Sequence, residues 1–457
     1  MRPRLPLAAG IAAARTAAHL SRLLGTGGGT TVPGKVLSLL DPDALDRLAS
    51  RLPLGAALVS ATNGKTTTAA MAAEIISPRV RLAHNASGAN LVSGVASTLL
   101  STGGAELGLF EVDEAALPEV ARRVRPRALC LGNLFRDQLD RYGELEHVAE
   151  RWRETVRHLA PEARLVVNGD DPQVGDLARE RPGGLVFGLE DPRHAGELQH
   201  AADSKWCLVC GRPYDYAAAY VGHLGDYRCA ACGHGRPSLD ISAREIELRG
   251  LEGVDFTLVT PHGERRVSLR VPGLYNVYNA VAAASLAVAL GAELDEVAAG
   301  LQRFAAAFGR FERISVGERG LLVLLVKNPA GANEAVRTLV AGGAPTLVVL
   351  ALNDGIADGR DVSWIWDVDI EPLLEGLERV VATGSRAAEM ALRCKYGGFP
   401  ADAIEIVPEL GRALDRGLEL TPTGGELVVL PTYTAMLALR EIVAKRGFVR
   451  PYWERAA

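Results

Sequence analysis

No apolar run approaches the ~18 residues that a membrane-spanning helix requires. A 457-residue chain that is 48% apolar and 23% charged is therefore expected to be soluble and globular. Positive charge is not in excess either: the net charge of −5 argues against a nucleic-acid binder. No Ala-x-Ala cleavage site follows the apolar stretch from Leu5 to Ala14, and Arg15, His19 and Arg22 break it. That pattern argues against a signal peptide and for an amphipathic helix over residues 7–24 packed on the body, with a membrane-surface contact through its arginines as the lesser alternative. Cysteine is sparse. Of six, four form two Cys-x-x-Cys units, while Cys130 and Cys394 stand alone in apolar or helical contexts. This excludes a disulfide framework and implies a reducing compartment, so a cytoplasmic location is expected. Lysine is missing between Lys65 and Lys205. The length gives a prior of roughly two to four domains.

The chain is organised around Ser60-Ala61-Thr62-Asn63-Gly64-Lys65-Thr66-Thr67-Thr68. Ala56-Ala57-Leu58-Val59 before it suits a buried parallel strand, and Ala69 to Ile76 after it suits a helix. Strand, Gly-Lys-Thr turn and helix make a phosphate-binding loop. Amides at the helix start and the helix dipole favour an anion, Lys65 would reach the β/γ-phosphates, and the Thr66 hydroxyl would sit on Mg²⁺. The general pattern has a glycine where this chain has Val59, so an ordinary strand-to-helix turn with a solvated lysine is the alternative.

Three further strands are expected to end in polar or acidic groups: Leu107 to Phe110 in Glu111-Val112-Asp113-Glu114, Arg127 to Leu131 in Asn133 to Asp140, and Leu165 to Val167 in Asn168-Gly169-Asp170-Asp171. Separated by helices, they describe a parallel sheet with one functional edge, where an acid of the first strand could hold Mg²⁺ opposite Thr66. Cys207-x-x-Cys210 and Cys229-x-x-Cys232 lie 18 residues apart, a zinc-ribbon spacing. Four thiolates close a tetrahedral site, which reads as structural Zn²⁺. Asn276 and Asn279, one turn apart at a helix start, could reach one ligand, with helix capping as the alternative. From Leu321 onward, strands and helices alternate as a Rossmann-like unit, but no Gly-x-Gly-x-x-Gly follows its strands, so no nicotinamide cofactor is implied. Within it, Asp358, Asp361 and Asp367 surround Trp364 and Trp366, two of only five tryptophans.

As an ordered set, these segments resemble the Mur ligase family. The similarity covers the phosphate loop at 61–68, the acidic strand end at 111–114, Asn133-x-x-x-Asp137-Gln138-x-Asp140, Asn-Gly-Asp-Asp-Pro at 168–172, Asn-x-x-Asn at 276–279 and Gly-Arg-x-Glu at 309–312. The resemblance implies an α/β fold: a P-loop Mur-ligase central domain at 46–313 with the zinc-ribbon insertion at about 200–240, preceded by a helix and linker at 1–45 and followed by a Rossmann-like domain at 314–457. It also implies that ATP binds against Asn63, Gly64, Lys65, Thr66, Thr67, Glu111, Glu114, Asn276, Asn279 and Arg310, with Mg²⁺ on Thr66 and Glu111. The family's signature histidine is Gln138 here. The lysine that amino-acid-adding members carbamoylate is absent, with Arg153 near its place, and the N-terminal UDP-binding domain is missing. The cysteine insertion and the Asp-Gly-Arg-Asp-Val-Ser-Trp-Ile-Trp-Asp stretch resemble one branch, the MurT-type subunits of lipid II isoglutaminyl synthase. That branch implies a GatD-type glutaminase partner and ATP-dependent amidation of the D-glutamate α-carboxylate of lipid II at the inner membrane surface. It further implies an aspartate completing the partner's Cys–His pair, expected to be Asp361, with Asp358 and Asp367 as rivals. A stand-alone Mur or folylpolyglutamate-type ligase and a non-enzymatic zinc-ribbon adaptor are the competing readings.

Overall fold

A computed structural model of the chain describes residues 31–86, 88–137, 145–196, 198, 202–305 and 311–450, with residues 11, 14 and 16. Most of the helix expected at 7–24 therefore lies outside the described residues, although Ala14 is buried in the first core.

Among the described residues the larger sheet has nine strands: β1 (Ala56–Ser60), β2 (Leu82–His84), β3 (Leu107–Glu111), β4 (Ala128–Leu131), β5 (Arg164–Asn168), β6 (Leu185–Leu189), β9 (Ile241–Leu248), β10 (Val254–Thr260) and β11 (Gly263–Leu269), in the order β11-β10-β9-β6-β5-β4-β1-β3-β2. Strands from β2 to β9 run parallel and β9, β10 and β11 antiparallel. β1 and β3 are buried along their whole length because helices cover both faces, which explains their unbroken apolar runs. After β1 the chain fills one side with β2 and β3, then crosses to the other side with β4. That reversal makes the C-terminal end of β1 a switch point, where open α/β sheets bind ligands. It also places the exits of β3 and β4 on either side of the loop after β1. Between β6 and β9 the chain makes the separate hairpin β7 (Asp215–Val221) and β8 (Leu224–Arg228), which carries the cysteine pairs.

The residues expected as a linker before 46 pack on this body. The helix Val32–Leu40 lies against the helix Val92–Ser101, where Gly34 N–H donates to Ser97 Oγ (2.8 Å). A Cβ on Gly34 would stand 1.8 Å from Ser93 O, so only glycine permits this approach.

The second sheet contains β12 (Glu312–Val316), β13 (Arg319–Val323), β14 (Leu347–Ala351), β15 (Arg379–Thr383), β16 (Ile404–Ile406) and β17 (Glu426–Pro431), in the order β12-β13-β17-β14-β15-β16. It is parallel apart from its edge pair β12–β13. β12 straddles the boundary expected at 313/314, and the strand expected to reach Val326 stops at Val323. Cys130 and Cys394 are both fully buried, and burial pushes each thiol up to about 12, as suits core residues.

Candidate functional site

The loop after β1 is fastened to the exit of β4. Thr62 N–H donates to Asn133 O (2.8 Å), Asn63 N–H to Asn133 Oδ1 (2.9 Å), and Asn133 Nδ2 returns a bond to Asn63 O (3.0 Å). Gly64 then opens the helix Lys65–Ile76 in the left-handed region, at φ 85°. A Cβ there would meet Asn279 Oδ1 at 1.9 Å. Asn279 and Asn276 sit at the start of the helix Leu274–Ala289, in a chain of bonds. Thr68 Oγ1 donates to Asn279 Oδ1 (3.3 Å), Asn279 Nδ2 to Asn276 Oδ1 (3.0 Å), and Asn276 Nδ2 to Pro272 O (2.7 Å). Both asparagines are thus buried beneath the loop and brace it. Gly64→Ala is expected to lower stability by about 1–3 kcal/mol from the backbone conformation alone, and to weaken ADP binding further through Asn279. Urea unfolding and nucleotide titration check this, and unchanged values in both would mean that the loop holds another shape.

The helix Lys65–Ile76 makes its first internal bond from Thr68 N–H to Gly64 O (2.8 Å), so earlier amides have no carbonyl of their own helix to bond. Half-buried Thr66 and buried Thr67 lie on this first turn. Lys65 is buried, bonded to the Ala61 carbonyl and paired with Glu114 Oε2 at 2.7 Å. Burial works against its charge, but Glu114, with Asp113 and Glu111 behind it, outweighs burial and raises its pKa above the ordinary value. Glu111 stands beside Val59 in the sheet register. Its backbone is fixed by Asn85 (2.8 and 2.9 Å), and Asn90 Nδ2 reaches Oε1 at 3.4 Å. Its other carboxylate oxygen is buried without a hydrogen-bond partner, a position that suits a divalent cation. Between the two acids expected here, Glu114 is engaged with Lys65 and Glu111 keeps an open oxygen.

The acidic exit of β5 has a different use. Asp170 is bound by Tyr278 Oη (2.7 Å) and Arg236 (2.9 Å), and Asp171 by Leu134 N–H (2.8 Å) and His223 (3.2 Å). These carboxylates hold scaffold together. Arg153, near the place of the missing lysine, is locked to Glu150, Asp176 and Glu180, and Arg310 lies outside the described residues.

The second domain contributes residues that the sequence reading gave no role. Asn328 caps the helix Pro329–Ala341 and exchanges amide bonds with Asn63 (3.0 and 3.3 Å), while Lys327 pairs with Asp137. The clue was Lys-Asn-Pro after a strand.

The acids around the tryptophans separate by environment. Asp358 is buried and accepts Thr434 N–H (2.8 Å), holding the start of the helix Tyr433–Lys445. Asp367 is exposed, 3.9 Å from Arg136. Asp361 is exposed, and the Ser363 amide (2.8 Å) and hydroxyl hold its carboxyl below the ordinary value. Trp366 is 51% exposed, beside exposed Tyr396 (ring centroids 6.0 Å apart), whereas Trp364 is half-buried against the domain core. The two tryptophans therefore differ in exposure.

The Sγ atoms of Cys207, Cys210, Cys229 and Cys232 all lie within 4.8 Å of one another. Separations of 3.5 Å for Cys207–Cys232 and Cys210–Cys229 suit a tetrahedral ion with four ~2.3 Å bonds. Val209 N–H donates to Cys207 Sγ (3.4 Å), which favours the thiolate. None of the described helices is long and apolar enough to cross a membrane.

A MurT ligase C-terminal family model matches residues 325–436, and a Mur ligase middle domain model matches residues 59–225. The lipid II isoglutaminyl synthase (glutamine-hydrolyzing) subunit MurT of Streptococcus pneumoniae is 34% identical over 438 residues, spanning 94% of this chain and 95% of that one. The Staphylococcus aureus protein of the same description is 29% identical over 432 residues, with the same coverage. Among solved structures, a pseudomurein peptide ligase type C from Methanothermus fervidus superposes with a TM-score of 0.69 at 21% identity, over 88% of this chain and 80% of that one, and shows the shared fold. Similarity that runs through both matched domains and nearly the full length of both chains makes this protein a member of the MurT family of Mur ligases.

Proposed function

We propose that this ligase amidates the α-carboxylate of D-glutamate in lipid II, using ATP to form an acyl phosphate and ammonia from a GatD-type glutaminase to displace it. The observation that carries the ATP step is the buried Lys65 at the Gly64 helix start, facing Glu111, Asp113 and Glu114. Lys65 offers a cation to the transferring phosphoryl group, and the helix start offers amides, both in place before substrate arrives. Thr66 and Glu111 would hold Mg²⁺, which supplies charge neutralisation between the phosphates. Asn63 orders the loop from both sides, through Asn133 and Asn328. Asn276 and Asn279 position the loop, and Gly64, Thr67 and Glu114 would line the bound ATP. Ammonia needs no amino-acid pocket, in keeping with an Arg153 tied up in ion pairs. Measuring ATP turnover and amidation of lipid II, with glutamine or ammonium as nitrogen source and with or without the glutaminase, tests the reading. An absence of amidation from either source would overturn it.

The four cysteines would hold Zn²⁺, which supplies a cross-link to the insertion. Metal-binding free energy is folding free energy at such a site, so Cys229→Ser is expected to release the metal and lower the melting temperature. ATP turnover should fall only through the neighbouring His223–Asp171 contact. Elemental analysis of the wild type checks this, and finding no zinc would remove the assignment.

A further inference from the structure

The hairpin β7–β8 has two ends with different surroundings. At its turn His223 is buried against Asp171 (3.2 Å), and a Cβ on Gly222 would meet the Phe135 ring at 2.7 Å. This end is seated on the residues that follow β4 and β5. The other end carries the two cysteine knuckles, and β7 separates the two ends by about 20 Å at ~3.3 Å per residue. The knuckles hold their own backbone. Cys207 N–H donates to Arg212 O (2.7 Å), Gly211 N–H to Cys207 O (2.9 Å), Cys229 N–H to His234 O (2.7 Å) and Gly233 N–H to Cys229 O (2.9 Å). Tyr214 Oη accepts Leu208 N–H (3.1 Å) and meets His234 Nδ1 (2.8 Å).

What this frame presents to solvent is apolar. Leu208-Val209 and Ala230-Ala231 stand between the cysteines of the two pairs, and Trp206 precedes the first pair. Trp206 is 62% exposed, Val209 68% and Leu208 36%. Pro213, Ala230 and Ala231 are exposed beside them. The small core beneath is made by Cys207, Tyr214, Tyr227 and Cys229 and includes none of these residues. An apolar cluster of this kind, left in water, adds nothing to the fold and marks a contact with something else. Its charge says what. Residues 205–215 and 228–233 hold three cations, Lys205, Arg212 and Arg228, and one acid, Asp215, in a chain whose net charge is −5. Asp215 faces Arg228 across the hairpin, so the tip keeps a cationic excess. Trp366, by contrast, shares its loop with Asp361 and Asp367.

We infer that the knuckle tip docks on an anionic membrane surface, with Trp206, Leu208 and Val209 in the headgroup layer and Arg212 and Arg228 against lipid phosphates. Tryptophan favours that layer, and apolar residues beside basic ones bind there without spanning the bilayer. Each cation near an anionic surface strengthens binding roughly fivefold. The use of such a contact rests on the ligase reading above, in which the substrate is anchored in a membrane. With the tip on that membrane, the length of the hairpin holds the phosphate loop off the surface, where an anchored carboxylate can meet it.

The test sediments the full chain, as purified with its metal content measured, with vesicles of phosphatidylcholine alone or mixed equally with phosphatidylglycerol. Binding to the mixed vesicles is expected to be about 10-fold tighter or more, and to weaken as salt is raised. Trp206→Ser with Val209→Ser should lose about 10-fold in that binding, and Arg212→Gln with Arg228→Gln should lose the preference for the anionic lipid. Both should keep the wild-type melting temperature and metal content, since these side chains lie outside the core. Amidation of lipid II in vesicles should fall with binding, while amidation of lipid II dispersed in detergent holds. A wild type that stays in the supernatant with both vesicles, or variants that sediment as the wild type does, overturns the inference. So does a variant that still sediments but releases the glutaminase, which would make the tip a protein contact. A wild type that sediments with the anionic vesicles and amidates nothing upholds the surface and overturns the ligase reading.

Discussion

Lys65→Met is expected to lower amidation by about 10²–10³-fold or more, with glutamine and with ammonium alike, because the phosphoryl group loses the one cation the loop offers it. The same change has a second effect that must be separated from the first. Lys65 Nζ and Glu114 Oε2 are 2.7 Å apart and both side chains are buried. Removing one partner of a buried pair typically costs about 3–5 kcal/mol, because the other charge is left uncompensated. The single variant is therefore expected to be less stable as well as inactive. Lys65→Met combined with Glu114→Gln removes both charges and should recover most of the stability without recovering amidation. Urea unfolding and ammonium-dependent turnover of the two variants give the answer. Wild-type turnover in either would remove Lys65 from the chemistry.

Asp361→Asn is expected to cut glutamine hydrolysis by the partner about 10⁴-fold, the scale on which a triad carboxylate acts, while ammonium-dependent amidation stays within roughly twofold. A carboxylate bonded to histidine fixes the ring's orientation and stabilises its cation, which activates a neighbouring cysteine. Of the three acids, Asp358 is buried in the cap of the helix Tyr433–Lys445 and Asp367 faces Arg136, whereas Asp361 is exposed with no ion pair among the described residues. Ser363 already favours its ionised form. Trp366, in the same loop, and Tyr396 next to that ring supply exposed aromatic surface. Trp366→Ala should weaken the complex by about 2 kcal/mol or more, as a central aromatic anchor does. Trp364→Ala should lower the melting temperature instead, since that ring is half-buried against the core. If Asp361→Asn impairs both nitrogen sources equally, the acid belongs to the ligase and not to its partner.

How much of this was legible in the sequence follows from how local each signal is. The strand before Lys65 and the helix after it show in a dozen residues, and both formed where expected. The cysteine pairs were legible because spacing alone brings each pair onto one knuckle. The destinations of side chains were not. Asn276 and Asn279 read as able to reach one ligand or to cap a helix; their bonds to each other, to Thr68 and to Pro272 show only once the helix is packed beneath the loop. Asp170 and Asp171 read like ligand acids at a strand end, but their partners Tyr278, Arg236 and His223 come from segments 52 to 108 residues away. Lys327 and Asn328 were equally hidden, because no sequence pattern states that a second domain folds back on the first at Asn63, 265 residues earlier.

The cysteine insertion lies between β6 and β9, two strands that pair side by side. Bringing those strands together means closing a loop over residues 190–240. Closure entropy grows only with the logarithm of loop length, about 0.6 kcal/mol for each doubling. A metal that ties 207 to 232 shortens the loop by about half, so on this count it helps the sheet form by only about 0.6 kcal/mol. So small a gain does not account for a dedicated four-thiol module. The hairpin turn offers a better reason: His223 is buried against Asp171, and its ring lies 4.5 Å from that of Phe135. Phe135 N–H in turn donates to Thr62 Oγ1 at 3.1 Å. In kinetic terms a metal held by the four cysteines would be nearly neutral for assembling the strands, and what it would rigidify is the wall behind the phosphate loop.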